Sequence, residues 1–478
     1  MVKSRLRREV SRAGRRSVLT AIGALVFLVG LTAPLVPLLA VDITEQLVDV
    51  GNKPAESRQR GVQRNVWDMQ PYEGKLYIGM GSTADNRGPI PVWAFDHAAG
   101  RWDEQPETVV ASEAIELFRV FNGRLYIPAA DPKGEISDKS KFYRRDPDGT
   151  WTHIYSPRSY NTAHIRDLAL QDGLLLGVGN GRRPHHLIRP HSGAVAIPIR
   201  GVEATRGGAQ ELPFFRSVIT MAPPSETGGR VDAPTSQRNR MANWFFSIFR
   251  LHDGLYASTR WLSWAPDYPE PEGVYAPRLP YPPVVPPFPT VARWDTALEE
   301  WVAPPPGHLD RLVPASPERN VQLTLRPWKP VLFGDFWFAP IRSYGFFGPD
   351  YNEAYNQSAD FVVKPPEGPG IRVVLPDQGA LGEAVLVDQG RLFLLANALK
   401  ADDRYRTVVY ALAEDSARLA RLDPETGLDT AVWREVLSFR SANLTRSFAR
   451  IGETWYFGLG VGRGRETGRA GTVLRYDP

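Results

Sequence analysis

The chain has 478 residues, 42% hydrophobic and 23% charged, the profile of a protein that folds around a core. Its 42 Gly and 43 Pro argue against an all-helical architecture, and its lack of Cys excludes disulfides, thiolate metal sites, iron–sulfur clusters and cysteine nucleophiles. The formal net charge of +4 hides an asymmetry: residues 1–16 hold seven basic side chains and one acidic, whereas the remainder is near neutral and does not suit a general nucleic-acid binder.

Residues 17–41 read SVLTAIGALVFLVGLTAPLVPLLAV, without a charge. About 20 apolar residues cross a bilayer, and a basic flank stays on the cytoplasmic side. The run exceeds the ~7–15 apolar residues of a cleaved signal, and Leu38, Leu39 and Ala40 fit a small-x-small cleavage site poorly. The expectation is a basic cytoplasmic segment over 1–16, an uncleaved transmembrane signal-anchor helix over 17–41, and an extracytoplasmic body over 42–478, periplasmic or at the cell surface. Arg15-Arg16-Ser17-Val18-Leu19 resembles a twin-arginine export signal, with Thr20 where lysine is usual, so export runs by that route or the general secretory one.

After the leader one phrase recurs: an apolar run, a tight turn, Gly, and an apolar or aromatic run. It is centred on Gly74, Gly123, Gly173, Gly254, Gly334, Gly390 and Gly452, the copy at Gly334 being degraded. Each copy predicts a β-hairpin. Asn122-Gly123, Asp172-Gly173 and Asp253-Gly254 suit two-residue turns in which both residues need positive φ. A second phrase, an apolar strand, an Asp turn and then Trp, follows several hairpins: Asp96 with Trp102, Asp146 with Trp151, Asp295 with Trp301, and Asp423 with Trp433. Two hairpins make a four-stranded propeller blade, with the Trp opening the outer strand and packing between blades.

The runs Gly-Lys-Leu-Tyr-Ile (74–78) and Gly-Arg-Leu-Tyr-Ile (123–127), with the Asp-turn-Trp phrases, resemble the repeats of kelch-like β-propellers over residues 43–478, though the double glycine common ahead of the kelch hairpin is missing. The fold expected is an all-β, seven-bladed β-propeller, with blades near 65–110, 111–158, 161–200, 243–304, 321–376, 380–438 and 442–478. The last copy stops after a third strand, and residues 43–50 are expected to supply its fourth and close the ring.

The tight turns leave little chain on one face of such a ring. The insertions 200–243, 261–289 and 343–358 fall on the other, and long loops on a rigid scaffold commonly carry function. Trp261, Trp264, Tyr268, Tyr344 and Tyr351 on these loops offer rigid aromatic contact area for a sugar face or a protein. Aligned on the repeated Gly, the position seven residues upstream holds Trp67, Glu116, Arg166, Ser247, Pro327 (or Arg326), Glu383 and Thr445, which predicts a solvated channel wall. Glu116, Glu383 and His164 are the candidate acid–base residues. Arg166, Arg326 and Arg446, with Asn65, are candidates to hold a ligand. No histidine set has metal-ligand spacing, and no phosphate-binding Gly loop or nucleophile elbow is present, so neither metal nor cofactor is expected. Two functions fit: a membrane-anchored recognition or scaffold module that takes a protein or glycan on its loop-rich face, or a glycan hydrolase or lyase that uses carboxylates at the channel mouth.

Overall fold

The computed structural model of the chain describes residues 40–53, 64–81, 88–130, 141–155, 162–171, 174–181, 244–260, 291–297, 300–302, 324–344, 357–368, 370–377, 379–412, 433–462 and 468–478. Apart from a single 3-10 turn at Thr44–Gln46, the elements named among them are strands, arranged in seven sheets.

Sheet one runs Val66–Tyr72, Lys75–Met80, Ile90–Asp96 and Arg101–Trp102, with Thr108–Val110 also on Ile90–Asp96. Sheet two runs Arg119–Phe121, Arg124–Pro128, Lys141–Arg145 and Trp151–Tyr155. Sheet three is the hairpin Thr162–Gln171 and Leu174–Gly181. Sheet four runs Trp244–Leu251, Gly254–Arg260, Val291–Asp295 and Glu300–Val302. In sheet five, Thr324–Pro327 and Val331–Phe333 both pair with Phe336–Tyr344, followed by Gln357–Lys364 and Ile371–Arg372. Sheet six runs Leu381–Asp388, Arg391–Leu399, Tyr405–Leu412 and Trp433–Ser441, and sheet seven Leu444–Ile451, Thr454–Gly460 and Val473–Tyr476.

Six of these sheets have four or five strands and are propeller blades. The expected count of seven blades is therefore corrected to six. Each repeated Gly marks only an inner hairpin, so the hairpin of sheet three scores as a blade in the sequence although it has two strands among the described residues. The turns follow the predicted chemistry at Asn122-Gly123, where both residues have positive φ (47° and 68°), and at Glu73-Gly74 and Gln389-Gly390. At Asp253-Gly254 only the glycine does, and Asp172-Gly173 lies outside the described residues.

Apolar clusters join sheet one to two, two to three, four to five, five to six, six to seven and seven to one, and a hydrogen bond from Ile248 to Asp167 links three to four. Tyr77 and Ile90 of sheet one pack with Leu125 and Tyr143 of sheet two. Tyr126 and Phe142 meet Ile165 and Leu175 of sheet three. Phe249 and Tyr256 meet Trp337 and Val362 between sheets four and five, and Phe338 and Phe361 meet Leu394 and Trp433 between five and six. Phe393 and Phe439 meet Phe448 and Phe457 between six and seven. Tyr456 and Val473 return to Val66 and Phe95 of sheet one, so the ring closes. Two aspartates reinforce it. Asp68 accepts the backbone N–H of Phe118 in the neighbouring sheet at 2.7 Å, and Asp167 that of Ile248 at 2.9 Å. Where the outer-strand tryptophans are described they sit as expected: Trp433 opens its strand and packs edge-on against Phe338 and Phe361, and Trp102 donates to the Val50 carbonyl.

The N-terminal segment closes sheet seven. Val48–Gly51 pairs antiparallel with Val473–Tyr476, Val48 opposite Arg475 and Asp49 opposite Leu474. It also does something the repeat pattern does not announce. Val41–Asp42 pairs in parallel with Leu437 and Ser438 of sheet six, and Ile43 between the two strands is fully buried. The segment is thus a strap across two adjacent sheets. Val41, the last residue of the expected membrane span, is a strand residue. Residues 1–39 lie outside the described residues, and among the described ones no helix is long and apolar enough to cross a membrane.

Candidate functional site

The position seven residues before each turn glycine lies at the end of the inner hairpin opposite the turn. Segments 261–290 and 345–356, outside the described residues, depart from the strands at that same end. The side chains predicted there do converge on the centre of the ring, but the expected solvated wall is not what forms. Trp67, Glu116, Arg166, Ser247, Arg326, Glu383, Thr445 and Arg446 are all buried, as is Asn65. Charges gathered from separate sheets pair with one another, and paired charges tolerate the loss of water that unpaired ones do not.

Glu116 leads into the first strand of sheet two. Its Oε2 accepts from Arg326 Nη1 of sheet five at 2.9 Å, a contact that spans 210 residues of sequence. Burial pushes the Glu116 carboxyl up, but the charges of Arg326 and Arg166 and the Arg326 hydrogen bond outweigh it and hold the group below the ordinary carboxylate value. Glu383 of sheet six lies 3.1 Å from Arg342 Nη2, an ion contact outside hydrogen-bond geometry, because that nitrogen donates instead to the carbonyls of Arg446 and Glu383. Arg326 and Arg342 are direct partners across the antiparallel pair in sheet five. Both guanidiniums stand over the buried Trp328 ring, 4.6 and 3.8 Å from its centre. Burial, with help from the Arg446 and Arg326 charges and against the pull of Glu383, pushes the Arg342 guanidinium down to about 10.

Arg446 occupies the sheet seven side. Its guanidinium lies 4.6 Å from the Trp67 ring, Nε donates to Asn65 Oδ1 at 2.7 Å, and Nη2 donates to the Val461 carbonyl at 2.8 Å. Gly460 makes room for it, since a Cβ there would collide with Arg446 and Asn65. Lys329, with φ of 42°, reaches from sheet five to Asp68 of sheet one at 2.8 Å. Side chains from sheet five thus contact sheets one, two, six and seven, and the polar centre is a plug. Thr445 is part of a smaller network: its hydroxyl meets that of Thr407 at 2.8 Å and its carbonyl accepts from Asn397.

The remaining candidates divide differently. His164 pairs with Asn180 in the ladder of sheet three, its side chain outside the described residues. Tyr344 ends its strand opposite Thr324, with its side chain likewise outside. Trp261, Trp264, Tyr268 and Tyr351 lie wholly outside the described residues. The repeat alignment missed Arg342, Trp328, Lys329 and the stapling role of Asp68. A signal for one was present: Asp68 and Asp167 both stand six residues before a turn glycine. Arg342 was hidden because it sits on a second strand, which the alignment did not sample. No group of metal-ligating side chains occurs among the described residues.

No family model and no curated protein matches the sequence. Among solved structures, a candidate 6-phosphogluconolactonase of Bacteroides fragilis is similar at 11% identity and a TM-score of 0.39, covering 81% of this chain and 89% of its own. An apocarotenoid oxygenase of Synechocystis scores 0.37 at 12% identity, covering 78% and 74%. An exo-1,5-alpha-L-arabinanase from a bovine ruminal metagenomic library scores 0.25 at 11% identity, covering 87% and 91%. Likeness of this degree carries no inference about chemistry, and the fold assignment rests on the sheets themselves.

Proposed function

We propose that the chain is a recognition or scaffold module: a kelch-like propeller, anchored outside the cytoplasm by its N-terminal apolar segment, that takes a protein or glycan on the face bearing the long loops. The observation that carries this reading is the state of the two candidate carboxylates. Glu116 and Glu383 are buried and matched to Arg326 and Arg342, and Glu116 is held in its charged form. A general acid needs the opposite setting, a carboxyl whose proton is retained near neutral pH. A glycan hydrolase or lyase on this scaffold would draw its acid and base from other carboxylates.

The test uses full-length protein in detergent on a printed array of bacterial and plant polysaccharides, with the same polysaccharides assayed for reducing-end release. The expected result is capture without release. Capture should survive Glu383→Gln and be lost when 261–289 is replaced by a short Gly/Ser linker. Turnover that disappears in folded Glu383→Gln would establish the enzymatic reading, and capture by the loop-replaced protein would refute the role given to that face. Anchoring is tested by fractionation, with release of the full-length chain without detergent as the contrary result.

A further inference from the structure

Arg326 and Arg342 are buried side by side at the centre of the ring with only part of their hydrogen-bonding capacity used. A buried ammonium can shed its proton to escape such a position, but a guanidinium rarely does. Arg326 spends Nη1 on Glu116, while its Nε and Nη2 are buried without a hydrogen-bond partner. Arg342 spends Nη2 on two carbonyls, and its Nε and Nη1 are buried and unpartnered. Leaving such donors unmet is costly, more so for charged groups.

The geometry of these donors says what would satisfy them. Nε and Nη2 form one edge of the planar guanidinium, the pair of parallel donors that matches two oxygens of one oxyanion. Arg342, the cross-strand partner of Arg326, supplies further donors from a guanidinium stacked over the same Trp328 ring. Asn65 and the Val461 carbonyl meanwhile hold Arg446 in place, and its backbone carbonyl accepts from Arg342 Nη2.

We propose that the centre of the propeller is an oxyanion-binding site, with the Nε/Nη2 edge of Arg326 and the free donors of Arg342 as its direct ligands and Trp328 as its floor. Its occupant is a phosphate, sulfate or carboxylate group, either a free inorganic ion or the acid group of a ligand. Occupancy of this site does not depend on the function proposed for the loop face. The Glu116 and Glu383 carboxylates serve it by orienting the guanidiniums.

Full-length protein is denatured after purification in chloride buffer and the released anions are measured by ion chromatography. Native protein is then dialysed against radiolabelled sulfate and, separately, phosphate. Expected is saturable binding near one oxyanion per chain, counting any carried through purification, that chloride at equal concentration does not displace. Galacturonate displacing the label would identify a ligand-borne acid group as the occupant, and no displacement would identify the free ion. The variant Glu116→Gln/Arg326→Gln removes the fork without stranding a buried carboxylate and should weaken binding by about tenfold or more, whereas Arg101→Gln, on an exposed pair, should leave it unchanged. Absence of both released anion and saturable binding in the wild type, equal binding of chloride, or full binding by the folded double variant would each overturn the proposal. If the double variant does not fold, the wild-type measurements decide.

Discussion

The N-terminal strap permits a sharp test of how the ring is held closed. Ile43 has no exposed surface and packs among Phe393, Leu437, Phe457 and Leu474, where sheets six and seven meet. Its N–H donates to the Ser438 carbonyl at 2.9 Å. Ile43→Ala keeps that bond and the flanking ladders but leaves a cavity, which by the usual scale of large-to-small core changes costs about 2–5 kcal/mol. With an unfolding entropy of ~2 cal/mol/K per residue over a unit this size, ~3 kcal/mol lowers the melting midpoint by roughly 3 °C if the ring unfolds cooperatively. Val48→Ala, in the same strap but 54% exposed, should shift it by less than about 1 °C. The assay is thermal unfolding followed by circular dichroism, with limited proteolysis of residues 40–51 read alongside. Equal midpoints for Ile43→Ala and wild type would refute the claim that the strap is buried structure. Removing residues 40–51 should go further, exposing the outer edge of Val473–Tyr476 as a template for edge-to-edge association, seen as concentration-dependent light scattering.

Other outcomes follow from the same interactions. Glu116→Gln strands the Arg326 guanidinium and should cost about 3–5 kcal/mol, recovered in large part by adding Arg326→Leu; denaturant midpoints measure both. Because the folded Glu116 carboxyl lies below its ordinary value of 4.5, its stabilisation is complete above that pH and is lost as pH falls through the lower folded value. Acid titration of stability should therefore be shallower for Glu116→Gln below pH 4.5, and parallel curves would contradict the pairing. Trp433→Ala, which empties the contact with Phe338 and Phe361 between sheets five and six, should cost about 3–5 kcal/mol. Gly458→Ala should destabilise by more than a surface change, because its Cβ would run into Val66 of the neighbouring sheet; a midpoint equal to wild type would count against that packing.

The sequence determined the local units. Alternating apolar runs around Gly74, Gly123, Gly390 and Gly452 become hairpins, since turn chemistry and strand patterning act over ten or so residues and need no distant partner. It also determined that the last sheet lacks an outer strand and that residues near Val48 can supply one, because a three-stranded remnant at one terminus and a strand-like segment at the other are both local facts. The tertiary structure alone decided what the polar centre became. Which carboxylate meets which guanidinium depends on the diameter of the ring and on where sheet five inserts Trp328 and Lys329, and no spacing along the chain encodes a contact such as Arg326 with Glu116. For the same reason the alignment foresaw ionisable groups at the centre but not their burial. It counted a seventh blade where the described residues form a two-stranded hairpin, and it could not see that Val41 and Asp42 would reach across to sheet six, because those outcomes depend on sheets packing against each other.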